Sequence, residues 1–187
     1  MERSKNVEVQ KSRTKDMIGI GLCAAIIAVC SWFSIPMAVP FTLQTLAVFI
    51  TVGLLGGKRG ALAVLVYIML GAIGLPVFHG FTGGFGILLG TTGGYIIGFV
   101  FLALVYWLIT AWLGYKTWVV VLGMVCGIIV CYIFGTAWFM YVYAQNSGAI
   151  GLMTALSWCV IPFILPDFIK IAVAVIIVKR VSAHVNF

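Results

Sequence analysis

The sequence predicts an all-α integral membrane protein that crosses the bilayer six times, with N- and C-termini both inside. Three observations carry that prediction. The 187 residues are 64% hydrophobic and 8% charged, whereas soluble domains run at about 45–50% apolar and about 25% charged. Past residue 16 the chain reads as apolar stretches near the ~17–25 residues that span hydrocarbon, parted by proline, glycine or basic breaks. Ten of the eleven Lys and Arg residues also fall on one side of a six-span arrangement: five in the N-terminal tail, then Lys58, Arg59, Lys116, Lys179 and Arg180. The outer connections carry none, the bias that sets an N-in, C-in orientation.

Residues 1–16 read as a basic cytoplasmic tail and 17–187 as a single membrane domain. The first span covers 17–35. It is longer than the ~7–15 residue core of a secretory signal and lacks a convincing A-x-A site, so it reads as a retained helix. Pro36 and Pro40 end it, because proline lacks an amide donor and disfavours helix in the residue before it. Spans two and three cover 41–57 and 60–76, turned by Gly56-Gly57-Lys58-Arg59-Gly60 and closed by Leu75-Pro76. The fourth covers 93–113, and Gly114-Tyr115-Lys116 turns the chain into a fifth over 117–142. Gln145-Asn146-Ser147-Gly148 marks an outer loop, and the sixth span covers 159–180.

Residues 80–98 form an unusual stretch, too apolar for a hydrated loop and too rich in glycine at its start for a regular helix. Irregular backbone at membrane depth is tolerated only where it is buried in protein or lines a cavity. Ligand lining is therefore the favoured reading. The recurrence of Gly86, Gly90, Gly94 and Gly98 every four residues also suits close helix contact. No G-K-[ST] follows, which excludes a nucleotide phosphate loop.

Asp167 and Lys170 carry the strongest chemical signal. A charge at a helix centre costs roughly 2.5–3.5 kcal/mol on insertion scales, so an intramembrane ionisable residue points to function. Asp167 lies about 12 Å below the outer end of the last span, at ~1.5 Å per residue. Lys170 is three residues on and shares its face. As a purely structural pair the two seldom repay their desolvation. As a binding pair they suit a small ligand with N–H donors at one end and an acid at the other. Gln44, near the outer end of the second span, needs a partner from another helix or from a ligand. His79 reads as a loop hydrogen-bonder, and His184 carries no signal.

Gly21/Ala25 and Ala24/Ala28 are small-x-x-x-small pairs on the first span, which let another helix approach closely, whether inside the subunit or on a partner. The five cysteines are odd in number, lack a C-x-x-C and lie in or beside apolar segments, so neither a redox nor a zinc motif is supported. No Ser/His nucleophile motif, H-E-x-x-H or second intramembrane carboxylate points to an enzyme. Pseudo-symmetric halves, the mark of many secondary transporters, are not visible. The net charge of +7 is scattered over tail and turns, so it reads as topology and lipid contact rather than nucleic-acid binding.

The segments Val39-Pro40-Phe41-Thr42-Leu43-Gln44, Gly74-Leu75-Pro76-Val77-Phe78, Gly83-Gly84 with Leu89-Gly90-Thr91-Thr92-Gly93-Gly94-Tyr95, and Pro166-Asp167-Phe168-Ile169-Lys170 resemble the BioY family in order and spacing. These are biotin-capturing S components of energy-coupling factor (ECF) transporters of prokaryotic plasma membranes. The resemblance implies an S-component fold with a biotin pocket open to the outside, capped by the first outer loop and the Gly-rich loop. It implies that Asp167 accepts from the ureido N–H groups, that Lys170 pairs with the valerate carboxylate, and that Gln44, Tyr95, Thr82, Gly83 and Gly84 contribute to the pocket. Thr82 stands where the family can carry Asn, Thr91 where it often has Pro, and Pro166 where it often has Gly. The implied partners are a transmembrane coupling subunit, met by Gly21, Ala24, Ala25 and Ala28, and two ATPases, with no cofactor or metal in the chain itself. The alternatives are a stand-alone biotin carrier, or an S component for another small vitamin carrying a carboxylate.

Overall fold

The computed structural model describes residues 2–183, with side chains from Arg13 onward; His184 lies outside the described residues. Helix α1 runs from Glu2 to Trp32. The basic tail therefore continues the first span as helix, since residues 2–16 contain neither Gly nor Pro to interrupt it. Beyond Trp32 a feature absent from the all-α reading appears. Ser34–Ile35 (β1) pairs antiparallel with Phe41–Thr42 (β2), in the register Ser34 to Thr42 and Ile35 to Phe41. The two prolines hold the connecting loop out of helix, so the next helix begins at Gln44 rather than at Phe41.

Helix α2, Gln44–Ala72, is a hairpin of two arms. Gly56 adopts φ 75°, ψ 169°, which breaks the helix and which only glycine takes readily. A methyl group placed on Gly60 would lie 2.8 Å from the Val52 Cα, a proximity that a straight helix forbids. The Gln44 Nε2 donates to the Tyr67 hydroxyl at 2.9 Å, although twenty-three residues of straight helix would separate them by roughly 34 Å. The reversal falls at the Gly-Gly-Lys-Arg-Gly turn read from the sequence. Arg59 in this turn holds Asp16 of α1 at 3.1 Å.

The outer connection that follows is fastened to the end of α1. Ser31 Oγ donates to the Val77 carbonyl at 2.6 Å and Trp32 Nε1 to the Pro76 carbonyl at 2.8 Å. The Trp32 ring stacks on Phe81 at 4.9 Å. Phe78 is fully buried against Tyr67, in a notch left by the missing side chain of Gly71. A 3-10 turn, His79–Phe81, leads into the short helix α3, Phe85–Leu89.

Helix α4, Gly93–Leu113, has the bounds expected of the fourth span. Helix α5, Thr117–Ser147, runs five residues beyond the expected 142. Asn146 Nδ2 donates back to the Val142 carbonyl at 3.0 Å, and Gly148 at φ 95° stops the helix. The expected last span, 159–180, is helix α7, Ile161–Ser182, and a short helix that the sequence reading did not include, α6, Leu152–Cys159, precedes it, with Val160 between them out of helical geometry. Pro162 sits in the first turn of α7, where its missing amide costs nothing.

The core forms where α4 packs along α5 and where α1, α4 and α7 pack on α2. Glycines set the α4–α5 distance: a methyl on Gly94 would meet Trp138, on Gly98 Cys131, on Gly127 Leu102 and on Gly135 Tyr95, each within 3 Å. Small residues allow this approach where lipid supplies no hydrophobic drive. Among the described residues five helical stretches are long and apolar enough to cross a membrane, including the α2 hairpin and α6–α7 taken together. Trp112, Leu165 and Ile133 stand exposed on their outer faces, as expected of a surface solvated by hydrocarbon. The chain is a multi-pass membrane protein.

Candidate ligand site

Six residues make the inward face of α7: Phe163, Asp167, Lys170, Ile171, Ala174 and Val178. Their three- and four-residue spacing places both charges on the side facing α2 and α5. Asp167 is 4% and Lys170 6% exposed. Lys170 Nζ donates to Asp167 Oδ1 at 2.8 Å. The other carboxylate oxygen accepts from the Tyr132 hydroxyl of α5. The ammonium also lies 4.4 Å from the centre of the Phe41 ring on β2, within the range of a cation–π contact. Phe41 in turn stacks on Phe163. The first outer hairpin thus places an aromatic wall over the charged pair.

Asp167, Lys170, Tyr132 and Phe163 line a cavity of about 60 Å³, whose walls also include Gln44, Tyr95, Thr92 and His79. Tyr95 shares a hydrogen bond with Thr136 at 2.8 Å. His79 lies in the outer connection, and burial lowers its pKa from the ordinary histidine value, so a neutral imidazole faces the cavity at neutral pH. Sites for small molecules usually measure about 300–1,000 Å³. At about 60 Å³ this one lies below that range, with the Asp167–Lys170 pair in its wall. A larger space of about 640 Å³ lies between α5 and α6–α7. Its lining is mostly aliphatic; Asp167, Tyr132 and Thr136 border it but Lys170 does not, so it offers an acidic solute no cationic partner despite its size.

Asp167, Lys170, Gln44 and Tyr95, singled out in the sequence, converge on this one cavity. Thr82, Gly83 and Gly84 are not among its lining residues. Thr82 Oγ1 instead donates to the His79 carbonyl at 2.8 Å. A methyl on Gly83 would strike the Leu75 carbonyl, and the Gly84 amide, at φ 101°, donates to Gly71 at 2.7 Å. Backbone demands of the turn account for both glycines. Of residues 80–98, Thr92, Tyr95 and Ile96 reach the cavity, while Gly94 and Gly98 serve helix packing. The small residues of α1 divide likewise. Gly21 and Ala25 are exposed, with open space beyond Gly21, whereas Ala24 and Ala28 are buried in the core. The second pair therefore packs within the subunit.

Tyr132, Tyr67 and Phe41 were not legible as site residues. Tyr132 and Thr136 are one helical turn apart in an otherwise apolar part of α5, and that spacing is the signal that marks an inward polar face.

A buried carboxylate and ammonium beneath an aromatic wall, held among membrane-spanning helices, define a membrane protein with a site suited to a small amphipathic solute. The chain belongs to the BioY family, whose model matches residues 3–187. It is 39% identical over 169 residues to the biotin transporter BioY of Thermotoga maritima, covering 90% of this chain and 96% of the relative. It is 33% identical over 183 residues to the biotin transporter BioY2 of Lactococcus lactis, covering 95% and 97%. The fold is similar to the crystal structure of the S-component for biotin from an ECF-type ABC transporter, with TM-score 0.84, 28% identity and 95% of both chains covered.

Proposed function

We propose that this chain captures biotin from the outer side of a prokaryotic plasma membrane, as the S component of an ECF-type importer. The observation that carries the reading is the Asp167–Lys170 pair, buried and lining a cavity with Gln44 and Tyr95. Asp167 accepts from the ureido N–H groups, and Lys170 releases it to pair with the valerate carboxylate. The aromatic and aliphatic walls take the ring system and the chain between. Thr82 acts at one remove, by holding the His79 carbonyl.

The hairpin at Gly56 supports six crossings, and the distribution of Lys and Arg supports inner termini. A transmembrane coupling subunit meets the exposed face of α1 at Gly21 and Ala25, and two ATPases supply the energy. The test is calorimetry of the detergent-purified protein with biotin. One-to-one binding supports the reading. Absence of binding, with retention of another vitamin that copurifies, overturns it.

A further inference from the structure

Asp167 has two partners, Lys170 on one oxygen and Tyr132 on the other. On the reading above, the acid of the ligand draws Lys170 away. The carboxylate is 4% exposed, so water does not replace the lost contact. A carboxylate so placed needs a remaining donor to hold its plane, because Asp turns freely about two side-chain bonds. Tyr132 meets that need from the opposite wall. Its hydrogen bond spans from α5 to α7, beside the 640 Å³ space between α5 and α6–α7. Its ring faces both that space and the ligand cavity.

We infer that Tyr132 is a positioning residue for ligand recognition: it keeps hold of Asp167 when Lys170 leaves, so that the freed oxygen points at the N–H donors of the ligand. The inference rests on the proposed function. It assigns specificity for the ureido end of the ligand to a residue that reaches it through Asp167.

The test is a double-mutant cycle of Tyr132→Phe and Asp167→Asn, read by equilibrium binding of biotin, biotin amide and an N-methylated biotin lacking ureido donors. Loss of a hydrogen bond to a charged group predicts that Tyr132→Phe weakens biotin roughly tenfold or more. Biotin amide should weaken by the same factor, since Tyr132 does not serve the acid end. The N-methylated ligand, weak from the start, should lose little. The double mutant should bind no more weakly than Asp167→Asn alone, because the tyrosine acts through the carboxylate. Multiplying losses in the double mutant, or equal losses for all three ligands, would show a merely structural tyrosine and overturn the inference. Failure of the unaltered protein to bind biotin would overturn the functional reading itself, and this inference with it.

Discussion

Replacing Lys170 by methionine separates the two ends of the proposed ligand. Lys170 Nζ lies 2.8 Å from Asp167 Oδ1, with side chains 7% and 5% exposed. Removing one member of such a buried pair costs about 3–5 kcal/mol of stability, and the surviving Tyr132 bond favours the lower end. On binding, the variant also forfeits the charge-assisted contact with the carboxylate of biotin. That contact is worth about 1.5–3 kcal/mol, so affinity for biotin should fall roughly ten- to hundredfold. Biotin amide brings no negative charge to Lys170 and should lose much less. The loss of the Lys170 partner from Asp167 affects both ligands alike and cancels in the ratio of the two losses, leaving roughly ten- to hundredfold discrimination. Radioligand competition on purified protein measures that ratio. A ratio near one would refute the reasoning, since Lys170 would then not read the acid, and the ligand would lie the other way round.

Gly21→Leu with Ala25→Leu should leave biotin binding nearly intact and abolish uptake by whole cells, because both positions face outward and nothing lies near Gly21. Equal loss of binding and uptake would place this face inside the subunit's own packing. Gly57→Ala should lower stability by about 1–3 kcal/mol, because its methyl would lie 2.3 Å from the Trp107 Cα. Gly21→Ala should be neutral or stabilising by up to about 1 kcal/mol, and thermal unfolding in detergent compares the two. An epitope at Gly148 should be reached by antibody on intact cells and one at the C-terminus only after permeabilisation. Reaction of both on intact cells would contradict the six-span topology.

The charged residues and breakers were the legible part of this chain. Insertion cost makes Asp167 and Lys170 conspicuous in a hydrophobic run, and the glycine turn at Gly56 announces the hairpin before any packing is known. The facing of helices was not legible. In a soluble protein apolar periodicity tells inside from outside, but here the lipid-facing side is as apolar as the core. Ala24 and Ala25 are adjacent and chemically identical, yet one is buried and the other exposed, and only the neighbouring helices decide which. Tyr132 escaped notice for a related reason. Its partner Asp167 is thirty-five residues away on another helix, and a tyrosine in an apolar span carries no charge to mark it. Thr82, Gly83 and Gly84 were expected at the ligand from the family resemblance, but here Thr82 bonds the His79 carbonyl and the two glycines meet the backbone demands of the turn. The β1–β2 pairing is only two residues per strand, too short for any alternation to register.

The measurement that bears most directly on this account is an experimental structure of the protein with biotin bound. The account predicts that the cavity beside α7 is enlarged and holds the ligand. The valerate carboxylate should lie within hydrogen-bond distance of Lys170 Nζ, and the ureido nitrogens should face Asp167, with Tyr132 still on its second oxygen. Biotin lodged instead between α5 and α6–α7, with the Asp167–Lys170 pair unbroken, would contradict it.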